Sequence, residues 1–381
     1  MQHHKPIHIG FIGAGTMGMI HMETFRKVQG AANHHVVDVS LDRALDAARR
    51  FNIPNYGADA SVLIHDPDID AVVISVPNAF HAEFARQALL AGKHVLLEKP
   101  MAMTADEAEE VLKAQQQSGK LLMIGHQMRW KWPFPEIRKQ IAEGRLGEIY
   151  YVRAGWMRRK GIPGWGSAYT SRKMMGGGAA VDIGVHMIDL ARYLIGPKRP
   201  VSVSGGVYGH IGRQGKGIGT WGTVNPQGSF DVDDLAAAMI RFEDGTLLNL
   251  EVSWAAFTDA EENGPYLHIM GSQGGLSIRE SGGTWLTECF DQSVDIPILQ
   301  PQDGIEDERV KLAEHFLSCI HPVGGCGDDR DLPRGAERLQ ALRIRGGQEH
   351  RHLRSGSGRA HLHQDGEAAR HGACGGLGQS G

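Results

Sequence analysis

The stretch Ile7-His8-Ile9-Gly10-Phe11-Ile12 runs without interruption into Gly13-Ala14-Gly15-Thr16-Met17-Gly18, and apolar residues follow at Ile20, Phe25 and Val28. A short apolar run, a GxGxxG hexapeptide and an amphipathic segment predict a strand, a tight turn and a helix, the opening unit of a doubly wound parallel sheet. Each glycine has its own reason. The first permits the turn, the second lets the main chain approach a pyrophosphate, and the third lets helix and strand pack closely. The helix N-terminus, at Thr16 and Met17, would then turn free N–H groups and a partial positive charge toward the phosphates. Because the chain holds 51 glycines, context has to support the hexapeptide. Val36-Val37-Asp38 reads as the second strand and ends in an acid about twenty residues on, where a carboxylate holds a ribose 2′-hydroxyl and repels a 2′-phosphate. NAD is the expected cofactor. Ser40 and Arg43 keep NADP open, since a nearby arginine accommodates that phosphate.

The strand and helix rhythm continues. Leu41 to Phe51 reads as a helix, and Asp70 to Val76 as a buried strand stopped by Pro77 and Asn78. A helix from about Phe80 to Ala91 ends at Gly92, where a C-cap glycine belongs. His94 to Leu97 forms the next buried strand and delivers Glu98-Lys99-Pro100 at its C-terminal end, the edge at which open parallel sheets bind ligands. Asn78, His81 and Lys99 are therefore candidates for the nicotinamide end of a pocket. Met103 to Ser118 reads as a helix and Leu121 to Gly125 as the last strand of this domain.

Far downstream, Gly176-Gly177-Gly178 introduces Asp182 and His186. Four residues make about one helical turn, so the spacing predicts a carboxylate and an imidazole on one helix face. Such a pair, brought to Lys99, would supply the proton chemistry that a hydride carrier needs.

A chain of 381 residues with 41% hydrophobic and 22% charged content fits an ordinary globular protein of two domains. Its formal net charge of -4 shows no basic face for phosphate backbones, so nucleic acid is not an expected partner. The apolar run near the N-terminus is too short for a signal peptide or a membrane span. A cytoplasmic protein without a membrane partner is expected. Cys289, Cys319, Cys326 and Cys374 form no C-x-x-C pair and have no histidine at ligand spacing, which argues against disulfides and structural zinc.

Four segments together resemble the glucose-fructose oxidoreductase and inositol dehydrogenase family (Gfo/Idh/MocA). They are the Gly13 to Gly18 turn, Asp66 to His81, Ala91 to Pro100, and Gly176 to Asp189, in the family's order and spacing. The resemblance implies α/β architecture: an N-terminal Rossmann domain, then an α/β domain with an open, mostly antiparallel sheet carrying substrate on one face and often a subunit partner on the other. It implies NAD(P)-dependent oxidation or reduction of a sugar or polyol, and a homodimer or homotetramer built on that sheet. It matches Lys99 to the family's active-site lysine, Asp182 and His186 to its substrate-contacting pair, and Ser75, Pro77, Asn78, His81 and Glu98 to cofactor-side positions. Arg129 fits a substrate- and cofactor-facing arginine. Lys99-Pro100 is also the place expected to hold a cis peptide bond.

Residues 1–125 are thus expected to form the nucleotide domain and 126–323 the substrate and oligomerisation domain. A helix is expected over Glu136 to Glu143, and alternating strands over Ile149 to Ala154, Leu235 to Phe242, Thr246 to Trp254 and Tyr266 to Met270, the last three as a meander. The loop from Trp156 to Tyr169 is aromatic and basic, which suits a polyol; Arg158 and Trp165 are its candidate contacts, with packing in a Gly/Pro turn an equal reading of Trp165. Asp231, Asp233 and Asp234 cluster, but without a calcium-loop glycine or a histidine pair, so no metal is expected. Asp189 either orients His186 or is a solvated helix charge. From 324 to 381 the chain has no aromatic residue and no valine, and this Gly/Arg/His-rich tail is expected to be poorly ordered. A change of reading frame near Ile344 and a genuine tail are the two accounts of it.

Lys99 and His186 are expected to act on one oxygen, His186 as the base and Lys99 as the donor to the developing charge, with Asp182 holding a neighbouring hydroxyl. Two competitors stand beside the dehydrogenase: a glycosidase or lyase that uses tightly bound NAD for transient oxidation, and a non-catalytic nucleotide-sensing regulator.

Overall fold

The computed structural model describes residues 5–300 and 307–320. The tail, its expected Gly335 to Ile344 helix and the reading-frame question lie outside the described residues. Among those described, no helix is long and apolar enough to cross a membrane.

Six strands, β1 (Ile7–Ile12), β2 (Ala31–Val37), β3 (Asn55–Gly57), β4 (Ala71–Ile74), β5 (His94–Leu97) and β6 (Leu122–Ile124), form a parallel sheet in the order β3-β2-β1-β4-β5-β6. The order reverses about β1, the switch point at which such sheets open a ligand crevice. Helices α1 (Thr16–Lys27), α2 (Leu41–Phe51), α3 (Ala60–His65), α4 (His81–Leu90) and α5 (Ala105–Ser118) make the connections. Their ends follow local chemistry. Ser40 accepts from Arg43 N at the start of α2, and Thr104 with Glu107 forms a capping box at the start of α5. Val72, Val73, Ile74, Val95 and Leu97 are fully buried, as the continuous apolar runs require of strands covered on both faces.

The second sheet has eight strands: β7 (Ile149–Met157), β8 (Pro200–Tyr208), β9 (Leu235–Phe242), β10 (Leu247–Ser253), β11 (Gly264–Gly271), β12 (Gly275–Arg279), β13 (Gly282–Cys289) and β14 (Gln292–Ile298). Their order is β14-β13-β12-β11-β7-β10-β9-β8, antiparallel except for the β7–β10 pair. The expected meander is therefore corrected: β9 and β10 form a hairpin, but β7 lies between β10 and β11. The inward residues Val152, Leu248, Leu250 and Val252 pack with Ile183, Met187 and Leu190, under α6 (Phe134–Ala142) and α8 (Val185–Ile195), while α7 (Arg172–Met175) buries no residue. After this sheet, α9 (Glu308–Ile320) returns to the first core, where Leu312, Ala313, Phe316 and Leu317 pack with Phe11, Met22 and Phe25.

Candidate active site

The glycine turn at β1–α1 meets the demands set for it. A Cβ on Gly13 would stand 2.4 Å from Ser75 O, and one on Gly18 would stand 2.0 Å from Gly13 O, so neither position admits a side chain. A Cβ on Gly15 would meet nothing within 4 Å. Gly15 and Thr16 are exposed, and no side chain caps α1. An uncapped helix N-terminus beside open main chain fits a pyrophosphate. Ser75 supports the turn from below, donating from Oγ to Gly13 O at 3.2 Å. Asp38 closes the other end: its Oδ2 accepts from Ala14 N at 2.9 Å, while Oδ1 accepts from Ser40 N at 2.9 Å and from Arg43 Nη2 at 2.8 Å. These residues fit a dinucleotide.

Other expected cofactor contacts are directed inward. Asn78, which follows Pro77 in a single 3₁₀ turn, is buried and donates from Nδ2 to Met175 O at 2.9 Å, joining the first sheet to α7. His81 is 1% exposed, and its ring nitrogens stand 2.6 Å from Pro100 O and 2.9 Å from Val76 O. With a main-chain carbonyl against each ring nitrogen, His81 turns neither toward a cofactor and instead braces the two strand ends. Glu98 is also internal. His21, from α1, stands with Nε2 2.7 Å from Glu98 Oε1, and Lys99 N donates to Oε2 at 3.2 Å. Burial pushes the Glu98 carboxyl up, but the His21 bond and charge, with those of Lys99 and His186, outweigh it and hold the group at about 2.

Lys99, Asp182 and His186 converge where the C-terminal edge of the parallel sheet meets the second sheet. The Lys99–Pro100 bond is cis, as expected. Lys99 Nζ donates to Asp182 Oδ1 at 2.8 Å and to Asp182 O at 2.9 Å, and Trp254 Nε1, at the end of β10, donates to Asp182 Oδ2 at 2.9 Å. Burial raises the Asp182 carboxyl; Lys99, His186 and the indole bond more than offset this, and it lies below its usual range. His186 is 6% exposed. Burial, then the charges of Lys99 and His126, pull its imidazole down to about 3, so it is neutral at physiological pH. The local geometry is not a plain α-turn: Ala180–Gly184 is a single π-turn that leads directly into α8. Such turns recur at functional sites.

The Gly-rich loop and the acidic cluster explain each other. Asp233 accepts from Gly178 N at 2.7 Å and Ala180 N at 2.8 Å, and a Cβ on Gly178 would stand 1.8 Å from Asp233 O. Asp234 accepts from Ile211 N and Gly212 N, and Asp231 from Arg172 N. The three carboxylates therefore hold main chain around the site.

Of Arg129, Arg158 and Trp165, Arg158 alone stays beside Asp182 and His186: its guanidinium lies 4.7 Å from the Trp156 ring, whose indole is 6.3 Å from the His186 ring. Arg129 is spent on a bidentate pair with Asp189, with Nε 2.8 Å from Oδ2. Asp189 is thus neither solvated nor bonded to His186. Trp165 donates to Gly212 O at 2.7 Å and packs on the core, the structural one of its two readings. The sequence reading missed His21, His126, Tyr169 and Trp254. Tyr169 is raised above its usual range by burial, then by the Asp182 and Glu98 charges it faces. A strand-terminal tryptophan beside the hairpin was the available signal for Trp254; nothing local marks the others.

Residues 7–126 match the model described as the oxidoreductase family, NAD-binding Rossmann fold (Gfo/Idh/MocA), and residues 134–277 match the Gfo/Idh/MocA C-terminal domain. D-glucoside 3-dehydrogenase of Escherichia coli is 34% identical over 252 residues, covering 66% of this chain and 71% of the relative. Levoglucosan dehydrogenase of Pseudarthrobacter phenanthrenivorans is 31% identical, covering 65% and 67%. A structure of levoglucosan dehydrogenase in complex with NADH and L-sorbose superposes with a TM-score of 0.73 at 26% identity, covering 83% of this chain and 90% of that one. With both domains matched and the glycine turn, strand-end lysine and Asp/His helix in place, the chain belongs to the Gfo/Idh/MocA family of oxidoreductases.

Proposed function

We propose that the protein reversibly oxidises a secondary alcohol of a sugar or cyclic polyol, with Lys99, Asp182 and His186 as its acting residues. The convergence of the Lys99–Asp182 pair with a buried, neutral His186 beside the dinucleotide turn carries this reading. A bound nicotinamide would supply the hydride acceptor. The neutral imidazole accepts the hydroxyl proton. Lys99 donates a hydrogen bond to the same oxygen and stabilises the negative charge that develops there. Asp182, fixed from both sides by Lys99 and Trp254, presents its remaining acceptor capacity to a neighbouring hydroxyl and orients the ring. Trp156 and Tyr169 offer aromatic walls to C–H faces, and Arg158 the remaining polar contact. Asp38 favours NAD, and Arg43, 57% exposed and paired with Asp38 at 2.8 Å, is the side chain that would have to leave that carboxylate to meet a 2′-phosphate.

The outer face of the second sheet, with Tyr151, Met239, Leu247 and Met270 on it and Met239 46% exposed, suits a homodimer or homotetramer. A cytoplasmic location accords with use of a diffusible dinucleotide pool.

The test is reduction of NAD or NADP by a panel of glucosides, anhydrosugars and inositols, followed by absorbance. Lys99→Met and His186→Ala are expected to lower kcat by about 100-fold or more while cofactor Kd stays within about twofold. Wild-type turnover in both would refute the assignment. A chain that turns over without releasing reduced cofactor would instead be the glycosidase or lyase.

A further inference from the structure

Two of the three cations expected at the site have acids of their own: Lys99 pairs with Asp182, and Arg129 with Asp189. Arg158 differs. Among the described residues no carboxylate pairs with its guanidinium and no acceptor takes its N–H groups, although the residue is half-buried and firmly held. Its main chain is tied to the end of β10, with Arg158 N donating to Ser253 O at 3.0 Å and Ser253 Oγ donating to Arg158 O at 3.3 Å. The residue after Ser253 is Trp254, whose indole donates to Asp182 Oδ2. The Arg158 guanidinium lies 4.7 Å from the Trp156 ring, and that same ring is 6.3 Å from His186. Gly161 leaves room for the arginine stem: a Cβ there would stand 2.7 Å from Arg158 Cδ and 3.3 Å from Trp254 O. Main chain, indole and glycine thus fix Arg158 one residue from the indole partner of Asp182 and one ring from His186.

A guanidinium withdrawn from water gives up the hydration of its N–H donors, and buried charges are ordinarily paired for that reason. Burial pulls the Arg158 guanidinium below its ordinary value, and the charges of Asp182 and then Glu280 oppose this without pairing with it. Asp182 is already engaged by Lys99 and Trp254, so Arg158 is the unbalanced positive charge beside it. The Trp156 ring offsets part of the cost of burial but carries no formal charge. A partner from the substrate would complete the balance. A neutral sugar hydroxyl accepts a bond and leaves the charge unmatched. A phosphate monoester brings about two negative charges, one more than Arg158 can match. A carboxylate brings one, in the planar geometry that a guanidinium meets with two parallel bonds.

We propose that Arg158 is a specificity-determining residue that receives the carboxylate of a sugar acid, so that the favoured substrate is a uronate or an aldonate rather than a neutral sugar. The inference rests on the reading of Lys99, Asp182 and His186 as the site that takes the sugar, and binding tests it apart from turnover. D-glucuronate, D-galacturonate and D-gluconate, each beside its primary amide of nearly equal size, are titrated calorimetrically into the full chain with reduced dinucleotide present. At least one acid is expected to bind about tenfold or more tightly than its amide, the usual worth of a hydrogen-bonded charge pair. Arg158→Met should bring acid and amide to parity, whereas Arg158→Lys, which keeps the charge and loses the fork, should retain part of the difference. A merely structural arginine would weaken both ligands alike and leave their ratio unchanged. Native protein in which no acid binds more tightly than its amide would overturn the proposal, as would an acid preference that survives in folded Arg158→Met. Should that variant fail to fold, Arg158→Gln, equally uncharged, answers the same question. If the acids bind through Arg158 but none is oxidised with NAD or NADP, the dehydrogenase reading fails and the carboxylate site stands.

Discussion

The glycine turn shows how a single atom separates a folding requirement from a binding one. At Gly18 an added Cβ would overlap Gly13 O, a main-chain atom that cannot retreat, and this is the contact that lets α1 sit on β1. At Gly15 the same atom would enter open space on the side where a pyrophosphate fits. Gly18→Ala is therefore expected to destabilise the fold by about 1–3 kcal/mol, the usual cost of forcing atoms into a packed site. Gly15→Ala should leave the melting temperature nearly unchanged and still weaken cofactor binding, because the methyl group occupies the approach path. Thermal unfolding and a cofactor titration on each variant check this. Equal affinity in Gly15→Ala and the native protein would mean that the dinucleotide binds elsewhere.

At the scale of elements, the loop that carries Asp182 toward Lys99 depends on one carboxylate from another strand connection. Asp233 accepts from the N–H groups of Gly178 and Ala180 around the start of the π-turn, and Asp182 follows two residues beyond the second. Asp233→Ala leaves both donors inside without acceptors and is expected to cost about 2–4 kcal/mol, while Asp233→Asn, keeping one acceptor oxygen, should cost less than half as much. Denaturant unfolding reads the first effect. Turnover should fall in both variants more than KM rises, since the loop carries Asp182 and His186 rather than a substrate pocket alone. The cluster was visible in the sequence, but its use was not: a backbone donor leaves no mark in a string of side chains. The same limit governs the sheets. Apolar runs of β1, β4 and β5 announce strands buried on both faces, whereas β8, Pro200 to Tyr208, alternates Val201, Ser202, Val203 and Ser204 but is interrupted by two glycines and leaves its valines exposed, so its pattern marks no core face. The β7 strand slips between β10 and β11 because partners about a hundred residues apart are chosen by the packed core, not by adjacent turns. Lys99, Asp182 and His186 were legible from spacing and family resemblance; His126 and Trp254 gain meaning only from cross-chain contacts.

For the molecule as a whole, the seam between the two sheets is where ionisable groups are buried, and the fold's response to acid follows from that. Lys99–Asp182, Glu98–His21 and Arg129–Asp189 each join elements that are distant in sequence, and His126 and His186 lie between them. The unfolded chain protonates His186 as pH falls below 6.5, whereas the folded chain resists until about 3, so the unfolded state binds more protons throughout that interval. Stability therefore declines with acid by about 1.4 kcal/mol per pH unit from this group alone. His35, His81 and His126, each lowered chiefly by burial, act in the same direction. Glu98, held at about 2, adds a loss of its own once pH falls below 4.5, where the unfolded carboxyl protonates first. Urea midpoints are expected to drop steeply between about pH 7 and about pH 5, and His186→Gln should flatten that slope by close to one proton. An unchanged slope in this variant would show that the imidazole is charged in the folded protein, and it would remove the neutral base on which the proposed chemistry rests.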